Sequence, residues 1–200
     1  MNTETTHDSD AATGDINPKT VVNGVFMGGG ARGIAYAGAL DAMYERNLAF
    51  GSVAGASAGA ITASLLAAGM QPDQIGGAVK DALANVRIDI PKPLSKLAIP
   101  KRLGKAALGQ ATSLFKARGL RTWVDETLRD QIGKTADGPV TFAELYDMST
   151  EKIELYVVAM DLATGQPIVF CRRTTPDVEV AGAVAASSAI PGAFPGGRGV

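Results

Sequence analysis

Gly51-Ser52-Val53-Ala54-Gly55-Ala56-Ser57-Ala58-Gly59-Ala60 carries a short apolar run into a Gly-x-Ser-x-Gly pentapeptide and on into an alanine-rich stretch. The run predicts a strand, near Phe50 to Ala54, and the alanines predict a helix. The glycines explain how one passes into the other. Without a Cβ at Gly55 or Gly59, the chain can turn tightly where side chains would otherwise collide, and the turn leaves the Ser57 hydroxyl exposed. Ser57 is therefore the candidate nucleophile. Small residues also surround serine at ordinary helix starts, so the pentapeptide needs support from the rest of the chain.

Upstream, Val21-Val22-Asn23-Gly24-Val25-Phe26-Met27 is short, β-branched and apolar, as a buried strand should be. Gly28-Gly29-Gly30-Ala31-Arg32-Gly33 breaks it, and Ile34 to Arg46 follows with the apolar spacing of a helix. A glycine loop at a helix N-terminus leaves backbone N–H groups unobstructed where the helix dipole favours an anion. A dinucleotide pyrophosphate, a bound phosphate or the oxyanion of an acyl-transfer intermediate could each use it. Gly28, Gly30 and Gly33 fit Gly-x-Gly-x-x-Gly, yet the second strand runs into Gly55-Ala56-Ser57 and offers no acid to hold a ribose. No Gly-Lys-Ser or Gly-Lys-Thr closes this turn as a P-loop would require either. An oxyanion hole remains, and it needs a nucleophile nearby. Ser57 lies in the next strand-to-helix crossing, and neighbouring parallel strands place both turns on one sheet edge.

Composition narrows the chemistry. The chain has 200 residues, 46% of them hydrophobic, which suits one globular domain, and its formal net charge of −1 gives no global attraction for nucleic acid. Cys171 is the sole cysteine, so an internal disulfide is excluded, a cysteine-rich metal site is disfavoured and a reducing compartment is the simpler reading. His7 is the sole histidine and lies in the polar leader 1–20, so serine chemistry in the body of the protein must use another base.

The pair Gly28-Gly29-Gly30-Ala31-Arg32-Gly33 and Gly55-Ala56-Ser57-Ala58-Gly59 resembles the double signature of the patatin-like phospholipases. Val157-Val158-Ala159-Met160-Asp161-Leu162-Ala163-Thr164-Gly165 and Ala186-Ser187-Ser188-Ala189-Ile190-Pro191-Gly192-Ala193-Phe194-Pro195 are similar to further family blocks, so the resemblance covers most of 21–200. It implies a three-layer α/β/α fold with a largely parallel central sheet. It also implies a Ser-Asp dyad acting on acyl esters of lipids, and an oxyanion hole from Gly28, Gly29, Gly30 and Ala31, with no metal or organic cofactor. Arg32 would fix the loop or bind a lipid phosphate, and a plain surface charge at a helix start explains it equally well. The family's aspartate sits in an Asp-Gly-Gly or Asp-Gly-Ala turn after the block resembling Ser187 to Pro195, and residues 1–200 hold no such turn. Asp137-Gly138 precedes the 153–171 hairpin and Asp161 belongs to another block, so neither inherits the role. The expectation is a C-terminally truncated chain whose partner aspartate lies elsewhere. The alternatives are a non-enzymatic lipid-binding module on the same fold and, resting on the glycine loop alone, a nucleotide-binding domain.

The remaining segments complete the expected order. Leu48 to Gln71 is uncharged, yet its Ala, Gly and Ser content is too weakly apolar for a membrane span and suits a helix packed closely on a sheet. Gly69 can end that helix and Pro72 can begin the next, over 72–86. Between Arg87 and Arg121, nine basic residues oppose the single acid Asp89 amid leucines and prolines. That mixture predicts a cap-like insertion able to touch an anionic membrane, or else a solvated helix face. A helix over 119–131 with Trp123 in the core, a Thr141/Glu144 capping box, a hairpin over 153–171 and a helix over 178–188 follow. With no signal peptide before Val21, the expected location is cytoplasmic, with peripheral membrane contact.

Overall fold

The computed structural model describes residues 19–85, 119–161 and 163–189. The leader 1–18, most of the basic segment 87–121, and the block after Ala189 lie outside the described residues. In chain order the elements are β1 (Thr20–Phe26), a 3-10 turn (Gly30–Ile34), α1 (Ala35–Glu45), β2 (Leu48–Gly55), α2 (Ala58–Ala67) and α3 (Pro72–Asn85). Residues 119–132 form α4, followed by α5 (Phe142–Met148), β3 (Glu154–Met160), β4 (Pro167–Cys171) and α6 (Val180–Ser187).

The sheet order is β1-β2-β3-β4, with β1, β2 and β3 parallel and β4 returning antiparallel to β3. This is an α/β fold with a largely parallel sheet, as expected. Parallel neighbours need crossovers, and α1 supplies the first. The second, from β2 to β3, contains α2 to α5. In the β1–β2 ladder Val22 pairs with Phe50 but Asn23 with Ser52, a bulge around which the Ser52 hydroxyl donates to Asn23 Oδ1 at 2.8 Å.

The core lies on the sheet face that carries Phe26, Val53, Leu155, Val157 and Phe170. All ten residues of α2 are buried, because this helix packs on β1, β2 and β3 from one side and meets α3 and α6 on others. Leu65 and Leu66 therefore face core in every direction, and Thr62 and Ser64 turn their hydroxyls back to Ala58 O and Ile61 O. An uncharged Leu48–Gln71 segment is thus a strand followed by a ten-residue helix. No helix among the described residues is long and apolar enough to cross a membrane.

One expectation needs correction. The strand beginning at Val21 is not buried throughout: Val21 is 66% and Val25 82% exposed. These residues alternate with Val22, Gly24 and Phe26, so only one face of β1 meets the described core. Several other local expectations hold. Gly69 ends α2 at φ +88°, Pro72 opens α3, and Thr141 and Glu144 form a reciprocal capping box at α5. Leu120, Val124 and Leu128 are buried along α4, with Trp123 partly buried against them. Cys171 is buried at the end of β4.

Candidate active site

Register builds the site. Phe26 pairs with Gly55, so two residues farther along each strand Gly28 comes beside Ser57. Ala56 N donates to Phe26 O at 3.1 Å and extends the ladder into the turn. The first turn of α2 then crosses the end of β1 so closely that a Cβ on Gly59 would lie 2.0 Å from Phe26 O. A Cβ on Gly55 would lie 2.2 Å from Gly59 O. Hydrogen is the only substituent either position accepts, which is the physical content of the pentapeptide.

Ser57 sits at the N-cap of α2 with φ 53°, ψ −123°. A positive φ is uncommon for a residue with a side chain and is held only where the surroundings insist on it. Here the flanking hydrogen bonds insist: Gly59 N donates to Ala56 O at 2.9 Å, Ala60 N to Ser57 O at 2.8 Å, and Ser57 N to Ser187 Oγ at 2.8 Å. No side chain among the described residues hydrogen-bonds the Ser57 hydroxyl.

The glycine loop lies against this turn. A Cβ on Gly28 would stand 3.3 Å from Ser57 Cβ, and one on Gly33 would stand 3.3 Å from Ala58 Cβ. Gly29 O accepts from Arg32 N at 3.2 Å, closing the 3-10 turn that contains Gly30, at φ +56°, and Ala31. No carbonyl among the described residues accepts from the N–H of Gly29 or Gly30. Arg32 is exposed and makes no ion pair with another described residue. The structure thus brings together Ser57, Gly28, Gly33, Gly55 and Gly59, with Gly29, Gly30, Ala31 and Arg32 on the continuing turn.

Two contributors escape a reading of the sequence. Tyr36 Oη donates to Met27 O at 2.8 Å, and its ring meets Phe26 edge-on at 5.2 Å, so the first turn of α1 ties down the start of the loop. Ser187, at the end of α6, bonds the backbone of Ser57 from 130 residues away. Tyr36 sits at helical spacing from Leu40 and so carries a weak signal. Ser187 carries only its place in a block already noted.

The carboxylates that sequence reasoning set aside have other partners or lie elsewhere. Asp161 accepts from Ala163 N at 2.9 Å and Thr164 Oγ1 at 2.7 Å, capping its own hairpin turn, and these bonds hold its carboxyl below the usual range. Gly138, after Asp137, lies in the loop before α5 at φ +91°. Among the described residues no group of three His, Cys, Asp or Glu side chains could hold a metal. A shallow groove lined by Arg121, Asp125, Arg129 and Glu179, between α4 and the start of α6, contains none of the predicted site residues.

A strained serine between a parallel strand and a buried helix, with a glycine turn laid against it, defines an α/β protein built around a nucleophile-elbow geometry. The chain belongs to the patatin-like phospholipase family, whose sequence model matches residues 24–198. It is 33% identical over 154 residues to Bacillus subtilis YqhO, covering 74% of this chain and 46% of that protein. It is 29% identical over 171 residues to Triacylglycerol lipase 4 of Saccharomyces cerevisiae, covering 86% of this chain and 18% of that protein. The chain therefore spans less than half the length of these relatives. Among solved structures it is similar to ExoU of Pseudomonas aeruginosa, determined in complex with SpcU, at a TM-score of 0.55 and 26% identity over 89% of this chain and 39% of that one. The fold also matches VipD of Legionella pneumophila, with a TM-score of 0.55 at 22% identity over 88% of this chain and 44% of that one.

Proposed function

We propose that this protein is a lipid acyl hydrolase in which Ser57 attacks the ester carbonyl. The single observation that carries this reading is the strained Ser57 at φ 53°, with Gly28 packed against its Cβ. That placement puts the candidate nucleophile and the candidate oxyanion donors side by side. Charge develops on the carbonyl oxygen as the Ser57 Oγ–carbon bond forms. The N–H groups of the Gly28-Gly29-Gly30-Ala31 turn, two of which have no described acceptor, would receive it together with the positive end of α2. The ester carbon–oxygen bond then breaks, the alcohol leaves with the proton given up by Ser57, and water cleaves the acyl-serine to release the free acid and restore the Ser57 hydroxyl. Family membership supports a lipid ester as the substrate class.

The proton of Ser57 needs a base, and in this family resemblance an aspartate supplies it. None of the described carboxylates is assigned that role. The exposure of Arg32, beside the glycine turn, supports a role in binding a lipid phosphate. The basic segment 87–121 provides the charge for contact with an anionic membrane.

The test is hydrolysis of a short-chain p-nitrophenyl ester and of a phospholipid by the wild type and Ser57→Ala. The expected result is activity in the wild type and a loss of at least about 10³-fold in the variant, since removing the nucleophile removes the covalent route. Lipid binding without hydrolysis by the folded wild type would replace this reading with a non-enzymatic lipid-binding module. Stabilisation by NAD or ATP, with no ester turnover, would point to a nucleotide site instead.

A further inference from the structure

We infer that Ser187 is a positioning residue that holds the Ser57 backbone in its reactive conformation, an inference that rests on the proposed role of Ser57 as nucleophile. Ser187 Oγ donates its one proton to Val158 O at 2.5 Å. That leaves its lone pairs to accept from Ser57 N–H at 2.8 Å. One hydroxyl therefore clamps three elements together: β3 through Val158, the end of α6 through Ser187 itself, and the turn between β2 and α2 through Ser57.

The need for such a clamp follows from the backbone. The N–H of a helix N-cap residue has no intrahelical acceptor, and at Ser57 the φ of 53° is one that an L-residue leaves when it can. The hydrogen bonds from Ala60 N and Ile61 N fix the carbonyl side of Ser57. On its N–H side the Ala56–Ser57 peptide is held at two atoms, Ala56 O by Gly59 N and Ser57 N by Ser187 Oγ, and only the second bond comes from outside the turn. Removing the Ser187 acceptor leaves this peptide held only through Ala56 O and lets it tilt, which shifts the Cβ–Oγ bond relative to the Gly28 to Gly30 turn. The neighbouring Ser188 is an internal contrast: its hydroxyl is buried and has no partner among the described residues. The two adjacent serines thus differ in their partners: the Ser187 hydroxyl bridges Val158 O and Ser57 N, and the Ser188 hydroxyl bonds neither.

The experiment compares wild type, Ser187→Ala, Ser187→Thr and Ser188→Ala in the full chain. It measures kcat and KM on a p-nitrophenyl ester per titrated active site, together with the rate at which a fluorophosphonate labels Ser57. Ser187→Ala is expected to lower kcat about 10- to 100-fold, the cost of a small misplacement of a reacting group, with KM within about twofold and labelling slowed in step. Ser187→Thr, which keeps the acceptor, is expected to restore most of the rate, and Ser188→Ala to match wild type. Where the alanine variant does not fold, Ser187→Cys keeps the volume with only a weak acceptor and carries the same expectation. A merely structural Ser187 would lower the melting temperature and leave kcat per labelled site unchanged, which overturns the inference. So does a threonine variant as slow as alanine, or a loss seen in KM alone. Hydrolysis that depends on Ser57 but ignores Ser187 removes this inference and leaves the proposed function standing. A folded wild type without hydrolysis, or hydrolysis that survives Ser57→Ala, removes both.

Discussion

At the scale of single residues, the site is made by what is missing as much as by what is present. The hydrogens of Gly55 and Gly59 let a helix start on top of the strand end, and no side-chain rotation can relieve a clash there because the opposing atoms are backbone. Gly59→Ala, whose methyl would meet Phe26 O at 2.0 Å, is therefore expected to destabilise the fold by about 3 kcal/mol or more, read as a lowered midpoint in urea unfolding. Gly28→Ala should behave differently. Its methyl would stand 3.3 Å from Ser57 Cβ, a contact relieved by a few tenths of an ångström of movement. The expected outcome is near-wild-type unfolding with kcat reduced about 10-fold, because the atom that yields belongs to the side chain of Ser57, the proposed nucleophile. The Gly-x-Ser-x-Gly turn was legible because part of its reason is local, the steric demand between Gly55 and Gly59 O, whereas the clash of Gly59 with Phe26 O exists only in the fold. The parts played by Tyr36 and Ser187 were not, because each depends on which distant carbonyl or amide the fold delivers to the hydroxyl.

At the scale of elements, α5 shows how a local motif and a distant charge combine. Glu144 Oε2 accepts from Thr141 N at 3.0 Å in the capping box and also from Lys134 Nζ at 2.7 Å. The Lys134 side chain is 3% exposed, and its ammonium is satisfied by both Glu144 oxygens and by Pro139 O. The Lys134 hydrogen bond, then the Thr141 N–H, holds the Glu144 carboxyl below its ordinary value. A carboxyl depressed in the folded state contributes fully above the ordinary glutamate range and loses that contribution as pH falls through its folded value. Glu144→Gln is expected to cost about 1 to 2 kcal/mol at pH 7, the lower figure reflecting the solvent exposure of Glu144 itself. The gap between variant and wild type should close as pH drops below about 4 in thermal melts followed by circular dichroism. The capping box was readable from Thr141 and Glu144 three residues apart, whereas Lys134 belongs to the preceding loop and entered only with the fold. β1 shows the reverse error: its β-branched content suggested full burial, and because Val21 and Val25 on the exposed face are as apolar as Val22 and Phe26 on the other, no polar alternation marked the strand as half-buried.

At the scale of the whole molecule, two strand-to-helix crossings were enough to anticipate a parallel sheet with both turns on one edge. The antiparallel β4 followed from the short turn at Ala163 to Gln166, which is long enough for a hairpin and too short for a crossover. Charge is the property that elements do not reveal. The chain as a whole carries −1, yet nine of its 19 basic residues fall between Arg87 and Arg121, opposed by one acid. The net charge therefore gives no overall attraction to a membrane, and this segment is where positive charge is most concentrated. Each Lys or Arg near an anionic surface contributes about 1 kcal/mol, so replacing Lys101, Arg102 and Lys105 by Gln together removes about 3 kcal/mol, close to 100-fold in affinity. Sedimentation with vesicles containing 30% phosphatidylserine should show that loss, and 0.5 M salt should weaken wild-type binding because the attraction is screened. Short-ester turnover, which needs no membrane, should stay at the wild-type rate. Equal binding of wild type and triple variant to neutral and anionic vesicles, indifferent to salt, would leave the basic segment no part in membrane contact.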